Sequence, residues 1–471
     1  MNTITMKFGG TSVGNPEAIA QVAKIVSAER ARGSRVVVVV SAMGGVTDML
    51  LRSVRAAVAG DKWEYQLLSN GMRDKHEEVI NLLLEPSQER ERALQQVDAL
   101  LNHHEEICQA VNILGEVTPR ILDAVVSIGE RLSSRVVTAV LSEQGVAAQQ
   151  FDATSLILTN DNFQDADPLW EGTKQQIQWR LLPALENDKT PVITGFIGAT
   201  DQGTITTLGR GGSDYSAAII AAYTRSDELV IWTDVDGVMT TDPRIDKRAQ
   251  VLPSISYQEV GELAFYGAKV LHPKTVQPII ELDIPVRVRN TFNVDHAGTL
   301  ITSQSEMAAT VIKAVTAVKH VSLLTVSGRG MLGVPGIAGR AFTATAAAGA
   351  SILMISQSSS EQSFCFTIPE SKGTDVKRSI EVALTEEIQS QDVDSVAVQR
   401  DVGIITAVGS GMRGTPGVAG RVFDRMGQDK INVLSIAQGS SECSISFVVE
   451  KADMQRAVVA LHDLALEAVQ V

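Results

Sequence analysis

The stretch Thr3-Ile4-Thr5-Met6-Lys7-Phe8-Gly9-Gly10 stands at the start of the chain and sets its fold class. Residues 3–8 alternate well enough to predict a short strand, and the two glycines end it. Asn15 and Pro16 then supply a helix N-cap and the first helical position. The predicted order is strand, glycine turn, helix.

Such a turn leaves the backbone N–H groups of Gly9 and Gly10 free to face an anion, with the Lys7 ammonium beside them. A nucleotide phosphate fits this description, although a lysine at the end of an edge strand is commonly just solvated. The sequence contains no Walker A pattern, so a phosphate site here is of another kind.

The next strand fixes the type of sheet. A helix predicted over residues 16–32 is followed by five valines at 36–40. A strand that is apolar at every residue is buried on both faces, as in a parallel sheet, so the opening is a β-α-β unit of an α/β protein. Ligands of such sheets bind at the carboxyl ends of the strands, where the hydroxyl-rich turn 41–48 follows the valines.

Composition limits the function classes. The chain has 471 residues, 44% hydrophobic and 20% charged, which suits globular material of roughly three domains. Its net charge of -14 argues against broad nucleic-acid or membrane binding. Three widely spaced cysteines, no leader segment and no long apolar run predict a cytoplasmic protein without a disulfide framework.

Two further segments carry candidate chemistry. Gly209-Arg210-Gly211-Gly212-Ser213-Asp214 precedes a helical run and combines an arginine fork with an anion-type glycine loop. The acid-rich loop 233–244 follows a buried strand, and it suits a ribose, Mg²⁺ or an ordinary Asp-Gly turn. Glu130 lies on a helix among small residues, where a salt bridge is the plain interpretation. The pair His103-His104 predicts a solvated helix face rather than a metal site.

The C-terminal third contains an internal repeat. Gly328-Arg329-Gly330-Met331 returns as Gly409-Ser410-Gly411-Met412, and the Gln-x-Ser-Ser-Glu segments that start at Gln357 and Gln438 are separated by the same distance along the chain. Each copy reads as the β-α-β-β-α pattern of a ferredoxin-like domain. Each also contains G-x-G-x-x-G, but no acidic residue follows about 20 positions on, so a dinucleotide fold is not predicted.

Together these motifs resemble the aspartate kinase family, which belongs to the amino-acid-kinase superfamily and carries two C-terminal ACT domains. The motifs are Lys-Phe-Gly-Gly-Thr-Ser-Val, Gly-Arg-Gly-Gly-Ser-Asp, Thr-Asp-Val-Asp-Gly with Thr-Thr-Asp-Pro-Arg, and Phe-Tyr-Gly-Ala-Lys-Val-Leu-His-Pro. The resemblance covers essentially the whole chain. It implies an α/β three-layer sandwich with a mostly parallel central sheet at 1–302, followed by ferredoxin-like ACT domains at 303–398 and 399–471. A strand near 310–319 is expected to join the second ACT domain.

The resemblance also implies roles for individual residues. The reaction expected from it is transfer of the γ-phosphate of ATP, with Mg²⁺, to the β-carboxylate of L-aspartate, giving 4-phospho-L-aspartate. The predicted catalytic residues are Lys7, Gly9, Gly10 and Asp214, with Asp214 orienting Lys7. The predicted aspartate-binding residues are Glu130 for the amino group, Arg210 for the α-carboxylate, and Ser41, Thr47 and Ser213.

The nucleotide is expected to contact Lys7, Gly10, Thr233, Asp234, Met239, Arg244, Lys269 and Val270. Met239 stands where the family usually has an aromatic residue near the adenine, which puts the affinity for ATP in question. No metal ligand is assigned to the protein itself, because Mg²⁺ is expected to arrive with ATP.

The ACT pair implies feedback control by an amino acid, with Gln357 and Gln438 as candidate effector contacts. Both repeats look most like the threonine-sensitive branch, in which the kinase is often fused to a homoserine dehydrogenase; a chain that ends at Val471 is expected to lack that second enzyme. ACT domains are further expected to pair in a homodimer or higher homo-oligomer. The alternatives are lysine inhibition, a kinase acting on another amino acid or carboxylate, and a catalytically weak amino-acid sensor.

Overall fold

The structure is a computed structural model that describes residues 2–268, 271, 273–303, 310–358 and 361–467. These residues form sixteen strands and fifteen α-helices. The strands are β1 (Thr3–Phe8), β2 (Arg35–Val40), β3 (Ala148–Phe151), β4 (Thr190–Thr194), β5 (Ile197–Ala199), β6 (Ile205–Thr207), β7 (Glu228–Thr233), β8 (Ser254–Ser256), β9 (Val286–Asn290), β10 (Thr299–Thr302), β11 (Ala314–Ser327), β12 (Met354–Gln357), β13 (Ser363–Pro369), β14 (Ser395–Val408), β15 (Ser435–Gln438) and β16 (Ser444–Glu450).

The helices are α1 (Pro16–Ala31), α2 (Val46–Val58), α3 (Lys62–Leu83), α4 (Gln88–Leu114), α5 (Pro119–Glu143), α6 (Trp170–Arg180), α7 (Leu182–Glu186), α8 (Gly212–Thr224), α9 (Tyr257–Phe265), α10 (Pro273–Ile280), α11 (Ile337–Ala347), α12 (Gly373–Ala383), α13 (Thr385–Gln389), α14 (Val418–Gln428) and α15 (Met454–Leu466). Among the described residues, no helix combines the length and apolar character that crossing a membrane requires.

The chain divides into two compact units. The first contains Met1–Val238, Pro253–Tyr257 and Leu271–Gln304, and the second contains Met239–Leu252, Gln258–Val270 and Ser305–Val471. Two segments within the predicted kinase domain, 239–252 and 258–270, therefore belong to the unit that holds the C-terminal repeats. The domain boundaries near 302 and 398 stay predictions.

The first unit is built on a mostly parallel sheet, as predicted. In the described residues its eight strands run in the order β3-β4-β2-β1-β7-β9-β10-β8. The six strands from β3 to β9 are parallel, and β10 runs antiparallel to β9. Phe8, the last residue of β1, is paired with Val40 and Trp232, so three neighbouring strands end at the same edge.

Helices cover both faces of this sheet and give the three layers. Met6 and Phe8 of β1 face a core that also contains side chains of α1, α2, α3, α4 and α5. The alternate residues of β1 face α8, where Lys7 meets Asp214. Strand alternation therefore sends the apolar residues to one side and the lysine to the other.

Helix α4 corrects one sequence expectation. His103 is exposed, but His104 is fully buried, and its Nε2 lies 2.7 Å from the Ser53 hydroxyl. Burial lowers the pKa of His104 to about 4. The prediction of a solvated histidine pair was wrong for His104, because adjacent residues on a helix point about 100° apart and only one can face solvent here.

The second unit contains both repeats in one antiparallel sheet, whose described strands run in the order β12-β13-β11-β14-β16-β15. The two central strands, β11 and β14, are paired along their length with irregularities near Val321. Residues 321–327 of β11 pair with β13, whereas residues 314–318 pair with 404–408, the half of β14 that also pairs with β16. The start of β11 therefore lies in the half of the sheet that holds the second repeat.

Candidate active site

The predicted site residues of the first unit lie where strands end. The backbone N–H of Ser41, just after β2, donates to the Phe8 carbonyl at 3.1 Å. The N–H of Gly44 donates to the Gly10 carbonyl at 3.0 Å, and a Cβ on Gly10 would lie only 3.0 Å from the Ala42 carbonyl oxygen. The turn after β1 and the turn after β2 are therefore packed backbone to backbone, and a side chain on Gly10 would force the Ala42 carbonyl to shift by a few tenths of an ångström.

Lys7 and Asp214 form the charged pair of the site. The Lys7 Nζ lies 2.6 Å from Asp214 Oδ1, and both side chains are largely buried. Asp214 reaches this position because α8 begins at Gly212, after a turn in which Gly209 and Gly211 both have φ of 73°. Positive φ favours glycine, so the glycines of this motif set the entry to α8. The pair holds the lysine head in place.

The expectation that both glycine N–H groups are free was wrong for Gly9. Its N–H donates to the Trp232 carbonyl at 3.2 Å, because the residue still follows the parallel ladder between β1 and β7. The N–H of Gly10 has no hydrogen-bond partner among the described residues. Gly10 is therefore the amide that can face an anion next to Lys7.

Glu130 is carried into the site by α5. A Cβ on Gly129 would lie 2.8 Å from the Ala42 Cβ, so a glycine is needed for α5 to approach the turn after β2 this closely. At this separation the Ala42 N–H donates to Glu130 Oε1 at 3.2 Å. The salt bridge that the sequence left open does not form with any of the described residues. The signal for this contact was the small residue preceding Glu130.

The Glu130 carboxyl is the most perturbed acid of the site. The residue is 4% exposed, and its Oε2 has no hydrogen-bond partner in the described part of the chain. Burial raises the pKa of Glu130 to about 8, against the opposing effects of the Ala42 N–H and the Lys7 charge. A buried acid with a raised pKa in a cleft is typical of a functional site.

These residues line one open cleft of about 420 Å³. Its lining contains eight predicted residues: Lys7, Gly10, Ser41, Thr47, Glu130, Arg210, Ser213 and Asp214. Arg210 is exposed and forms no ion pair with the described residues, so its guanidinium can receive a carboxylate. The cleft therefore combines the cationic side chains of Lys7 and Arg210 with the carboxyls of Glu130 and Asp214.

Sequence reasoning missed Phe196. It lines the same cleft and has φ of 70°, an unusual conformation for a residue with a side chain. Its N–H donates to the Ser216 hydroxyl on α8, which holds the turn after β4 against that helix. No sequence pattern signals a left-handed phenylalanine, so only the folded backbone could reveal it.

The predicted nucleotide residues are divided between the units. Thr233 ends β7 and Asp234 follows it in the first unit, whereas Met239 and Arg244 belong to the second. The Arg244 guanidinium is engaged by Asp242 at 2.6–3.1 Å, which lowers the pKa of that acid. Lys269 and Val270 lie outside the described residues.

The candidate effector residues occupy equivalent places in the two repeats. Gln357 ends β12 and Gln438 ends β15, and both side chains are exposed. Glu361 and Glu442 are the last residues of the two Gln-x-Ser-Ser-Glu segments, and each accepts a hydrogen bond from a glycine of the same repeat. Gly333 N–H donates to Glu361 at 3.4 Å, and Gly414 N–H donates to Glu442 at 2.8 Å. These glutamates were not singled out from the sequence, although their repetition was visible there.

Comparison with family models defines the class of protein. Residues 2–290 match the amino acid kinase family, and residues 324–384 and 405–464 match the ACT domain. The first match contains the cleft residues, and the second contains the two copies of the repeat. The chain is therefore a kinase-type domain joined to a pair of ACT modules.

Individual relatives narrow the class. The chain is 33% identical over 477 residues to "Aspartokinase 1, chloroplastic" from Arabidopsis thaliana, covering 98% of this chain and 79% of the relative. The crystal structure of E. coli aspartokinase III in complex with aspartate and ADP is 30% identical, with a TM-score of 0.81 and coverage of 99% of this chain and 100% of that one. The chain belongs to the aspartokinase family.

Other relatives are longer than this chain. The match to "Bifunctional aspartokinase/homoserine dehydrogenase 1, chloroplastic" from Arabidopsis thaliana is 37% identical over 464 residues, covering 97% of this chain but 50% of the relative. A bifunctional enzyme from Zea mays gives the same identity and coverage. The chain thus spans about half the length of these curated relatives.

Proposed function

We propose that this chain transfers the γ-phosphate of ATP to the β-carboxylate of L-aspartate, forming 4-phospho-L-aspartate and ADP. The observation that carries the proposal is the convergence of Lys7, Glu130, Arg210 and Asp214 around one cleft. This charge arrangement complements an amino acid with two carboxylates next to a phosphate. The complex of E. coli aspartokinase III with aspartate and ADP supports the same assignment.

The chemistry needs no general base. The β-carboxylate of aspartate has a pKa near 4, so it is an anion at pH 7 and can attack the γ-phosphorus directly. A carboxylate oxygen forms the new bond to phosphorus as the bond to the β,γ-bridging oxygen breaks, and ADP leaves with that electron pair. Positioning and charge stabilisation are then the protein's contributions. The Lys7 ammonium, oriented by Asp214, and the Gly10 N–H supply them.

Aspartate recognition follows from the remaining charges. The α-ammonium pairs with ionised Glu130, whose second oxygen lacks a partner among the described residues. The α-carboxylate pairs with the fork of Arg210, and hydroxyls of Ser41, Thr47 and Ser213 surround the side chain. A substrate lacking the amino group would offer no counter-charge to the ionised form of Glu130, so the site favours amino acids.

Magnesium is proposed as the companion of ATP. The described residues contain no group of three or more His, Cys, Asp or Glu side chains arranged to hold a metal ion. Lys7 and Asp214 already neutralise each other, which suits a site that receives the ion with the nucleotide. When bound to the phosphates, Mg²⁺ would offset their charge during transfer. The rest of the nucleotide is proposed to contact Thr233, Asp234, Met239, Arg244, Lys269 and Val270.

Glu130 should make aspartate binding depend on pH. In the free protein the carboxyl is protonated below about pH 8, whereas pairing with the ammonium requires its ionised form. The KM for aspartate is expected to fall about tenfold between pH 7 and pH 9, because the carboxylate form becomes available over this range. Steady-state kinetics at saturating MgATP measure it. A KM for aspartate that stays level would contradict the role of Glu130.

We infer that threonine is the feedback effector, with lysine as the alternative. Gln357 and Gln438 are exposed at equivalent strand ends, and amide side chains suit the hydroxyl of threonine better than an ammonium. The nearby carboxylates of Glu361 and Glu442, which an ammonium would prefer, already accept glycine N–H groups. On the other side, a solved structure of E. coli aspartokinase III contains lysine.

The test measures ADP release with MgATP and aspartate, alone and with added threonine or lysine. Aspartate-dependent turnover that threonine suppresses would support the whole proposal, and suppression by lysine alone would replace the effector while keeping the kinase. Gln438→Ala is expected to weaken inhibition without changing turnover in the absence of effector. Turnover absent under every condition would favour an amino-acid sensor instead.

Assembly through the ACT modules is proposed as a homodimer or higher homo-oligomer. Ile355 and Ile436 occupy equivalent positions on the edge strands β12 and β15, and both are nearly half exposed. Apolar side chains on sheet edges favour pairing with another chain. Cytoplasmic localisation stays a prediction.

A further inference from the structure

Asp123 is a buried acid that does not line the cleft but holds two separate segments of the first unit. It lies on α5 and is 1% exposed. Its Oδ2 accepts hydrogen bonds from the N–H groups of Gln164 and Thr207, each at 3.0 Å, and its Oδ1 accepts one from the Thr207 hydroxyl at 2.9 Å. Burial raises the pKa of this carboxyl, and the three hydrogen bonds oppose the rise. One carboxyl group therefore joins the loop at Gln164 to the end of β6.

The two segments that Asp123 joins meet again at Gly209. Beside the carboxyl, the Ala166 N–H donates to the Thr207 carbonyl at 2.9 Å. Two residues further on, a Cβ on Gly209 would lie 3.2 Å from the Gln164 carbonyl oxygen. The backbone that leaves β6 therefore packs closely against the loop that Asp123 holds.

The position of Arg210 depends on this backbone. Arg210 directly follows Gly209 and lines the cleft. Its side chain is exposed, and no hydrogen bond or ion pair with the described residues fixes its guanidinium. The place of the guanidinium therefore follows from the backbone before it, which is held by Asp123 at Thr207 and by the packing at Gly209.

Helix α5 carries both Asp123 and Glu130. The two acids are seven residues apart, which places them on the same side of the helix and about 10 Å apart along its axis. Glu130 lines the cleft itself, whereas Asp123 is connected to the cleft through the backbone that leads to Arg210. One continuous helix thus determines how far the Glu130 carboxyl lies from the backbone that carries Arg210.

We propose that Asp123 is a positioning residue for aspartate recognition, because it anchors Arg210 to α5 at a fixed spacing from Glu130. The proposal rests on the proposed function, which pairs these two charged side chains with the α-carboxylate and the α-ammonium of the substrate. Loss of the anchor lets the guanidinium move away from the α-carboxylate. Lys7 and Gly10 come from β1 and the turn after it, so the affinity for ATP does not depend on Asp123.

Two substitutions of Asp123 separate its hydrogen bonds from its charge. Asp123→Ala removes all three bonds and is expected to raise the KM for aspartate about tenfold or more, while the KM for ATP stays within about twofold of the parent. Asp123→Asn keeps an oxygen for the two N–H groups and an amide for the Thr207 hydroxyl, so its KM for aspartate should stay within about threefold. Asp227→Ala, which removes a carboxylate that accepts the Thr3 N–H at 2.7 Å where β1 begins, is the matched control and should change neither KM. A folded Asp123→Ala enzyme with the parent KM for aspartate would overturn the proposal.

A double variant tests whether Asp123 acts through Arg210. Arg210→Ala removes the guanidinium that Asp123 is proposed to position. Adding Asp123→Ala to this variant should raise the KM for aspartate by no more than about twofold, because residues that act through one another are not additive. A further rise as large as the one that Asp123→Ala causes in the parent would mean that the two residues act independently, and the proposal would fail.

Hydrogen exchange of the unsubstituted protein gives a test that does not depend on the folding of a variant. Coupling is reciprocal, so saturating L-aspartate should slow exchange in residues 160–168, which do not line the cleft, as well as in residues 207–214. The turn at residues 200–204, at the other end of the β5–β6 hairpin, should not change. Protection of 207–214 without protection of 160–168 would overturn this proposal and leave the proposed function standing. Absence of any protection by aspartate, together with absence of turnover, would remove both.

Discussion

Lys7→Met is expected to lower kcat about 10³-fold while the protein stays folded. The Asp214 carboxylate holds the Lys7 ammonium in the cleft at 2.6 Å. In the proposed mechanism this ammonium stabilises charge on the phosphoryl group during transfer. Loss of a single preorganised donor typically costs 10²- to 10³-fold, and a full positive charge is at the upper end of this range. Steady-state rates at saturating aspartate and MgATP measure the effect.

Two comparisons make this result specific. Lys24→Met removes an exposed lysine on α1 and should leave kcat unchanged. Methionine preserves most of the volume of the lysine stem, and Asp214 retains some contact with solvent, so the melting temperature should shift by only a few degrees. A Lys7→Met enzyme with a tenth or more of the parent kcat would mean that the phosphate site lies elsewhere.

Glu130→Gln is expected to stabilise the fold while nearly abolishing use of aspartate. Glutamine keeps an oxygen for the Ala42 N–H but cannot pair with the substrate ammonium, so the KM for aspartate should rise about 10²-fold or more. Thermal unfolding of the free protein should shift upward, because a neutral amide is cheaper to bury than a carboxylate.

The size of the stability change depends on pH in a defined direction. The pKa of Glu130 is about 8 in the folded protein, above the ordinary value of 4.5. Below pH 4.5 the carboxyl is protonated in both the folded and the unfolded protein, so no charge has to be buried on folding. The free energy of unfolding then decreases as the pH rises from 4.5 through the folded pKa, because Glu130 ionises in the unfolded chain before it ionises in the folded protein.

The gain from Glu130→Gln should therefore grow from near zero at pH 4.5 to its full value at pH 8 and above. It should reach on the order of 1 to 3 kcal/mol, because the unpaired amide hydrogens of glutamine offset part of the benefit. Glu78→Gln, at an exposed position of α3, is the matched control and should show no such growth. A lower melting temperature for Glu130→Gln at pH 8 would contradict burial of an unsatisfied acid at residue 130.

Much of the architecture was predictable because local patterns agree with the final packing. The strand over residues 3–8 and the helix starting at Pro16 appear where alternation, glycines and the cap place them. The five valines form a strand buried between neighbours on both sides. The regularly spaced internal repeat predicted two ferredoxin-like domains, and in the structure both copies contribute strands to one antiparallel sheet.

The errors have a common physical origin, which is the choice of partner in tertiary structure. Gly9 follows a strand and so looks free, but β7 continues alongside it and uses its N–H. His104 lies in a polar stretch, but its helix turns that one position toward the core. Residues close in sequence determine neither which strand lies beside a strand end nor which side of a polar helix is buried.

The division into units shows the same limit on a larger scale. Segment 239–252 follows a strand of the first sheet, yet it packs with the last helix of the chain. His462 of α15 is fully buried, and it lies 2.8 Å from the Thr240 hydroxyl and 2.9 Å from Asp246. These partners are so far apart along the chain that no local pattern could have joined them. The candidate nucleotide residues Met239 and Arg244 consequently belong to the second unit.

The most direct test of the central claim is chemical trapping of the product. Incubation with L-aspartate, MgATP and hydroxylamine should give aspartyl hydroxamate in a one-to-one ratio with ADP, and Lys7→Met should remove both. This result would establish that phosphate is transferred to a carboxylate of aspartate. Release of ADP without hydroxamate, or hydroxamate formation that survives Lys7→Met, would contradict the account.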